Sequence, residues 1–215
     1  MTVPSQPWER LYADVKIDVP GLTDAVFKQK LFQVAKDFVE QTNVWVEQVP
    51  ITGMPNVTEY PFTLAGMGTP NRLLMLYDPA ISVPNNYRWV QSGVSMPIPG
   101  TIQVRYAPST QTDWVAAVGK SFTDPADAEG YPELDDEYDW IVDKYRQAFY
   151  YGVIARLQSQ PAKPWSNPND ARRNNQLYIS ERSKARADVL KQNTYGAQAW
   201  NYPQPFASIT RKGWA

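Results

Sequence analysis

The sequence predicts an α+β fold: a helical bundle formed by N- and C-terminal helices, a small antiparallel β domain inserted between them, and an extended C-terminal tail. Three patterns lead there. Apolar residues recur at helical spacing before residue 44 and after residue 130. Between 45 and 129 the period drops to two, with frequent proline and glycine. Beyond 193 there is no period and no acidic residue. The expected domains are therefore 1–44 with 130–193 (helical), 45–129 (β) and 194–215 (tail).

A short helix is expected around Trp8–Val15, closed by Pro20-Gly21. Phe27, Leu31, Val34, Ala35 and Phe38 then mark one face of an amphipathic helix over about 23–42, with Thr23 placed as N-cap and Asp24 in the first turn. Trp45–Val49, Thr101–Tyr106 and Trp114–Val118 alternate as strands with one buried face. Leu73–Tyr77 is a continuous apolar run suited to a strand buried on both faces. Turns fall at Gly53, Pro55, Gly66, Gly68, Pro70, Pro79, Pro84, Pro97, Pro99 and Gly100, so a small sandwich or barrel is expected.

Helix resumes with acids at Leu134-Asp135-Asp136-Glu137, where the helix dipole favours them, and runs to about Gln160. Ile141, Tyr145, Ala148, Gly152 and Ala155 follow at helical spacing. Glycine mid-helix costs about 1 kcal/mol relative to alanine. Its compensation here is close approach of another helix along Ala148, Gly152 and Ala155. Pro161, Pro164 and Pro168 break the chain before a second helix over about 169–191, expected to lie antiparallel to the first.

The 215 residues include no histidine and no cysteine. That excludes Ser–His–Asp and Cys–His nucleophilic chemistry, disulfides, and metal sites built on sulfur or imidazole. No catalytic, cofactor or metal residue is assigned, and the chain is expected not to be an enzyme. The acidic stretch from Asp124 to Asp139 misses the EF-hand register, because Ala126 and Ala128 fall where ligands belong. A pair of glycosidase carboxylates cannot be picked out by spacing. Gly66-Met67-Gly68 is followed by Thr69-Pro70 with no lysine, so it reads as a turn and not a phosphate loop. The N-terminus lacks the basic and apolar regions of a signal peptide, and no apolar run approaches membrane-spanning length. The Asn56-Val57-Thr58 sequon is therefore disregarded.

Lys+Arg 21 against Asp+Glu 22 gives a net charge of −1. The charge is unevenly spread. Residues 170–215 hold eight Lys/Arg against Asp170, Glu181 and Asp188, a net +5, which leaves −6 for the remainder. The tail adds Trp200, Tyr202, Phe206 and Trp214, residues poorly served by water in an extended segment. Such a segment calls for a partner that buries it.

Two stretches carry a family resemblance. One is Val19-Pro20-Gly21, the helix with Ala35 and Phe38, then Thr42 and Trp45 opening the β region. The other is Tyr145, Ala148, Tyr151-Gly152, Ala155-Arg156-Leu157, Pro161, Lys163-Pro164-Trp165-Ser166-Asn167-Pro168 and Ala171, with a further helix and an aromatic tail. Together, over about 10–50 and 140–210, they resemble the head-to-tail adaptor proteins of tailed bacteriophages. Members often have a cysteine near the Phe38 end of the first helix, which this chain lacks. The β insertion carries no matching motif.

The resemblance implies a ring, typically of twelve copies, beneath the portal in the neck of a virion assembled in the host cytoplasm. The helical part and tail would dock to the portal protein, with Trp200, Tyr202, Phe206 and Trp214 as anchors and Arg211 and Lys212 supplying charge. The β insertion would meet tail nozzle, tube or fibre proteins. Double-stranded DNA would pass through the lumen without being read, which a neutral-to-acidic body favours. The competing reading is a carbohydrate- or receptor-binding module using surface tryptophans. A non-sequence-specific nucleic-acid binder comes third.

Overall fold

The computed structural model describes residues 7–65, 68–79, 93–123 and 136–193. Helices α1 (Pro7–Asp18) and α2 (Asp24–Thr42) precede six strands: β1 (Val46–Gly53), β2 (Glu59–Pro61), β3 (Thr69–Tyr77), β4 (Val94–Ile98), β5 (Thr101–Val104) and β6 (Thr112–Ser121). Helices α3 (Asp136–Lys144), α4 (Arg146–Gln158) and α5 (Pro168–Asn193) follow. The class is α+β.

Pro7 begins α1, where a missing N–H costs nothing. The Val19-Pro20-Gly21 turn needs its glycine, because φ is +83° there. Tyr12 Oη then donates to the Leu22 carbonyl at 3.0 Å, pinning the turn to the helix before it. In α2 the expected stripe is buried and broadens to include Phe32, Val39 and Thr42. Thr23 is the N-cap residue, yet its hydroxyl makes no capping bond. Asp24 instead pairs with Lys28 at 3.0 Å, one turn on. The helix stops at Asn43, in the left-handed region with its N–H on the Val39 carbonyl at 2.9 Å.

The long helix expected over 134–160 is two helices. Between α3 and α4, Tyr145 leaves helical geometry (φ −113°, ψ 27°) while its ring packs on Phe38 with centroids 5.0 Å apart. The break lets α3 pack on α1 while α4 crosses α2 and α5. Tertiary packing overrides a local period that was unbroken. At the start of α5, the Asn167 side-chain oxygen accepts from the Asn169 and Asp170 amides at 3.2 and 3.3 Å, and Pro168 takes the first helical position.

The strands form two antiparallel three-stranded sheets, β1-β6-β3 and β2-β5-β4. They share one apolar core, with Val49, Ile51, Leu76, Trp114, Ala116 and Val118 from the first sheet and Tyr60, Ile102 and Val104 from the second. Of the two arrangements left open by the sequence, this is a small sandwich. The Leu73–Tyr77 expectation needs correction. β3 is an edge strand, only Leu76 of that run is buried, and the pairing with β6 slips twice. Its apolar residues lie half-covered at the sheet margin.

The helices enclose a separate core that includes Leu11, Phe27, Leu31, Phe38, Ile141, Phe149, Val153, Leu157 and Tyr178. Trp45 and Phe122, the residues flanking β1 and β6, belong to this helical core with ring centroids 5.3 Å apart. The ends of the β segment are thus embedded among the helices.

Candidate interaction surfaces

The helical layer is knit at one crossing. Ala148, Gly152 and Ala155 lie buried along α4. A Cβ on Gly152 would sit 2.7 Å from Val34 Cγ1 and 3.0 Å from Tyr178 Cδ2, so α2 and α5 both close on the glycine. The small-residue expectation thus lands on a three-helix contact.

Beside it, Asp37 of α2 ties the layer together. Tyr178 Oη donates to Asp37 Oδ2 at 2.6 Å and Arg182 Nη1 donates to the same oxygen at 3.0 Å. Arg156 Nη2 stands 4.0 Å away. One carboxylate on α2 therefore engages both α4 and α5. Sequence reasoning missed this group, though Asp37 directly precedes Phe38 in the apolar stripe and Tyr178 and Arg182 share a face of α5 at i, i+4.

Burial pushes the Tyr178 hydroxyl well above its ordinary range, and its hydrogen bond to Asp37 and that charge push the same way, against Arg182 and Arg156. Tyr150 is pushed up to about 12, first by burial, then by donating to Asp18 and by the charges of Asp18 and Asp14. Both tyrosines are harder to ionise folded than unfolded, where the value is about 10. The contribution of each to stability is complete below about pH 10; that of Tyr150 is lost as pH rises through about 12, and that of Tyr178 higher still. Titration followed at 295 nm should show Tyr150 and Tyr178 ionising late, as the fold opens. Tyr178→Phe should remove one of the laggards and flatten the alkaline fall in stability.

At the junction between helices and sandwich, Lys120 is 3% exposed and its Nζ lies 2.8 Å from Glu47 Oε2 and 4.6 Å over the Trp45 ring. Glu47 Oε1 accepts the Ala65 amide at 2.6 Å, and Ser121 Oγ donates to Glu40 of α2 at 2.6 Å. Trp45 also presses on Gly68, where a Cβ would come within 2.6 Å of the ring. This polar knot fixes where the sandwich stands on α2.

Two outward faces of the helices stand out among the described residues. A groove of about 680 Å³ is lined by Asp14, Asp18 and Asp143 against Lys144 and Arg146, with Ile17, Gln147 and Tyr150 beside them. Within it Arg146 pairs with Asp14, and Tyr150 donates to Asp18. α5 exposes Ile179 and Leu190 on one side and Leu177 on another, among its basic residues.

No protein-family model matches the chain, and no curated protein matches it in sequence. Trp200, Tyr202, Phe206, Arg211, Lys212 and Trp214 lie outside the described residues, as does most of the acidic stretch. Among the described residues no three acidic groups converge as a metal site, and no helix is long and apolar enough to cross a membrane. Trp45 and Trp114 are core residues, 7% and 3% exposed, whereas Trp140 of α3 is 44% exposed.

Proposed function

We propose that this chain is a structural head-to-tail adaptor of a phage virion. In this reading a ring of about twelve copies joins portal to tail and surrounds the DNA channel. Its helical bundle and C-terminal tail meet the portal, and its β insertion meets tail proteins. The observation that carries the reading is the mutual packing of the two resembling stretches. Though nearly a hundred residues apart in sequence, α2 with Ala35 and Phe38 packs against α4 and α5, around Gly152. The sandwich, which carries no matching motif, is inserted between them and has a core of its own.

The supporting chemistry is that of a joint. Aromatic residues fill cores, and the carboxylates at Asp37 and Glu47 tie elements together. Deleting 194–215 should abolish docking to the portal while leaving the helical far-ultraviolet signal and cooperative melting in place. Undiminished capture of the truncated protein by portal rings would overturn the assignment of Trp200, Tyr202, Phe206, Arg211, Lys212 and Trp214 as anchors. A ring with twelve-fold symmetry in projection images of the portal-bound protein is the expected result for the assembly.

A further inference from the structure

The two outward faces are complementary in charge and lie on different sides of the helical layer. The main contacts of α1 are with α3 and α4, whereas α5 packs on α4 and α2. The groove holds Asp14, Asp18 and Asp143 against Lys144 and Arg146, acidic on balance, and α5 carries six Lys/Arg against three Asp/Glu. Each face also leaves apolar side chains in water. Ile17 is 78% exposed at the groove, and Leu190 is 56% and Ile179 42% exposed on α5.

The faces also correspond in height. α5 runs antiparallel to α4, with Asn174 bonded to Gln158 at 2.9 Å and Tyr178 against Gly152. At 1.5 Å per residue on both helices, Lys184 and Arg186 come level with Arg146 and the end of α3, and Leu190 lies just beyond. Ile179, Ser183, Arg186 and Leu190 follow one another by four, three and four residues, which places them on a single stripe.

We infer that the occupant of the groove is a second copy of this chain, whose α5 stripe seats Arg186 and Leu190 against Asp143, Asp18 and Ile17. The stripe, whose one charge is Arg186, does not complement itself. The contact is therefore head-to-tail, the kind that closes into a ring when its rotation divides the circle. Duplex DNA would satisfy the arginines but leave Ile179 and Leu190 unburied, so a protein surface fits the stripe better. The inference rests on the ring reading above and names the surfaces that would build the ring.

The test is a charge exchange in the full chain, with copy number read by native mass spectrometry alone and on portal rings. One variant, Ile17→Lys/Asp143→Lys, reverses the groove. The other, Arg186→Glu/Leu190→Glu, reverses the stripe. All four positions are exposed, so both variants should melt within a few degrees of the parent. Each alone should associate at least tenfold more weakly. An equimolar mixture should recover rings of alternating copies, since every contact in it pairs opposite charges. Normal rings from either variant alone would overturn this interface and leave the ring reading standing. A parent protein that stays monomeric even on portal would overturn both. Unchanged self-association with loss of salt-sensitive DNA binding in the stripe variant would overturn the inference and assign the stripe to DNA.

Discussion

Glu47→Ala should lower stability by about 3 kcal/mol or more, while Lys120→Met should leave it nearly unchanged. The asymmetry follows from burial. Lys120 is 3% exposed, and Glu47 Oε2 at 2.8 Å balances its charge beneath the Trp45 ring. Removing the carboxylate strands an ammonium out of water and also releases the Ala65 amide from Glu47 Oε1. Removing the ammonium leaves a carboxylate at the margin of the junction, where water reaches it, and methionine fills the lysine's volume against the indole. Urea unfolding with unchanged slope would measure both. The double replacement Glu47→Leu/Lys120→Met should recover most of the loss. If Glu47→Ala shifted the midpoint no more than an ordinary surface substitution, the junction would not be held by this pair.

Gly152→Val carries the second large effect, a loss of about 3 kcal/mol or more through overpacking. Even the first added carbon meets Val34 Cγ1 at 2.7 Å and Tyr178 Cδ2 at 3.0 Å. Val34 is β-branched on a helix and has essentially one rotamer to offer. Alanine gains about 1 kcal/mol of helix propensity, which partly offsets its smaller clash. Valine adds two methyl groups to the same gap. For a chain of this size the melting point should fall by roughly 10 °C, at 2–4 °C per kcal/mol. Displacing Tyr178 also separates its hydroxyl from Asp37, so that tyrosine should ionise at lower pH than in the parent. A variant melting within a degree or two of the parent would mean that the three helices can part at little cost.

The sequence made most of the helical layer legible because local and global preferences agree there. The α2 stripe from Phe27 to Phe38 announces both a helix and its buried face. Gly152 in a helical run likewise announced a close neighbour, though Val34 and Tyr178 had to be seen to be named. Failures came where a distant partner decides. Nothing near Tyr145 signals a break, because the break is set by Phe38 on another helix and by α3 folding back on α1. Leu73–Tyr77 has the composition of a central strand, but strand order makes it an edge. Trp45 reads as the first residue of a β alternation, yet it packs with Phe122 among the helices. Asp37 and Glu47 were invisible as ties because their partners, Tyr178 with Arg182 and Lys120, lie far along the chain.

The way the sandwich is attached bears on how such a protein can vary. Its chain leaves the helices at Trp45 and returns at Lys120 with the two backbones already hydrogen-bonded, the Lys120 amide on the Trp45 carbonyl at 2.9 Å. The helical layer therefore meets two fixed, adjacent stems. Closure entropy rises only with the logarithm of the enclosed length, about 0.6 kcal/mol for each doubling. Insertions far from the stems would change the protein's reach with little thermodynamic effect on the helices. Span thus becomes a quantity that selection or design can adjust separately from the helical layer.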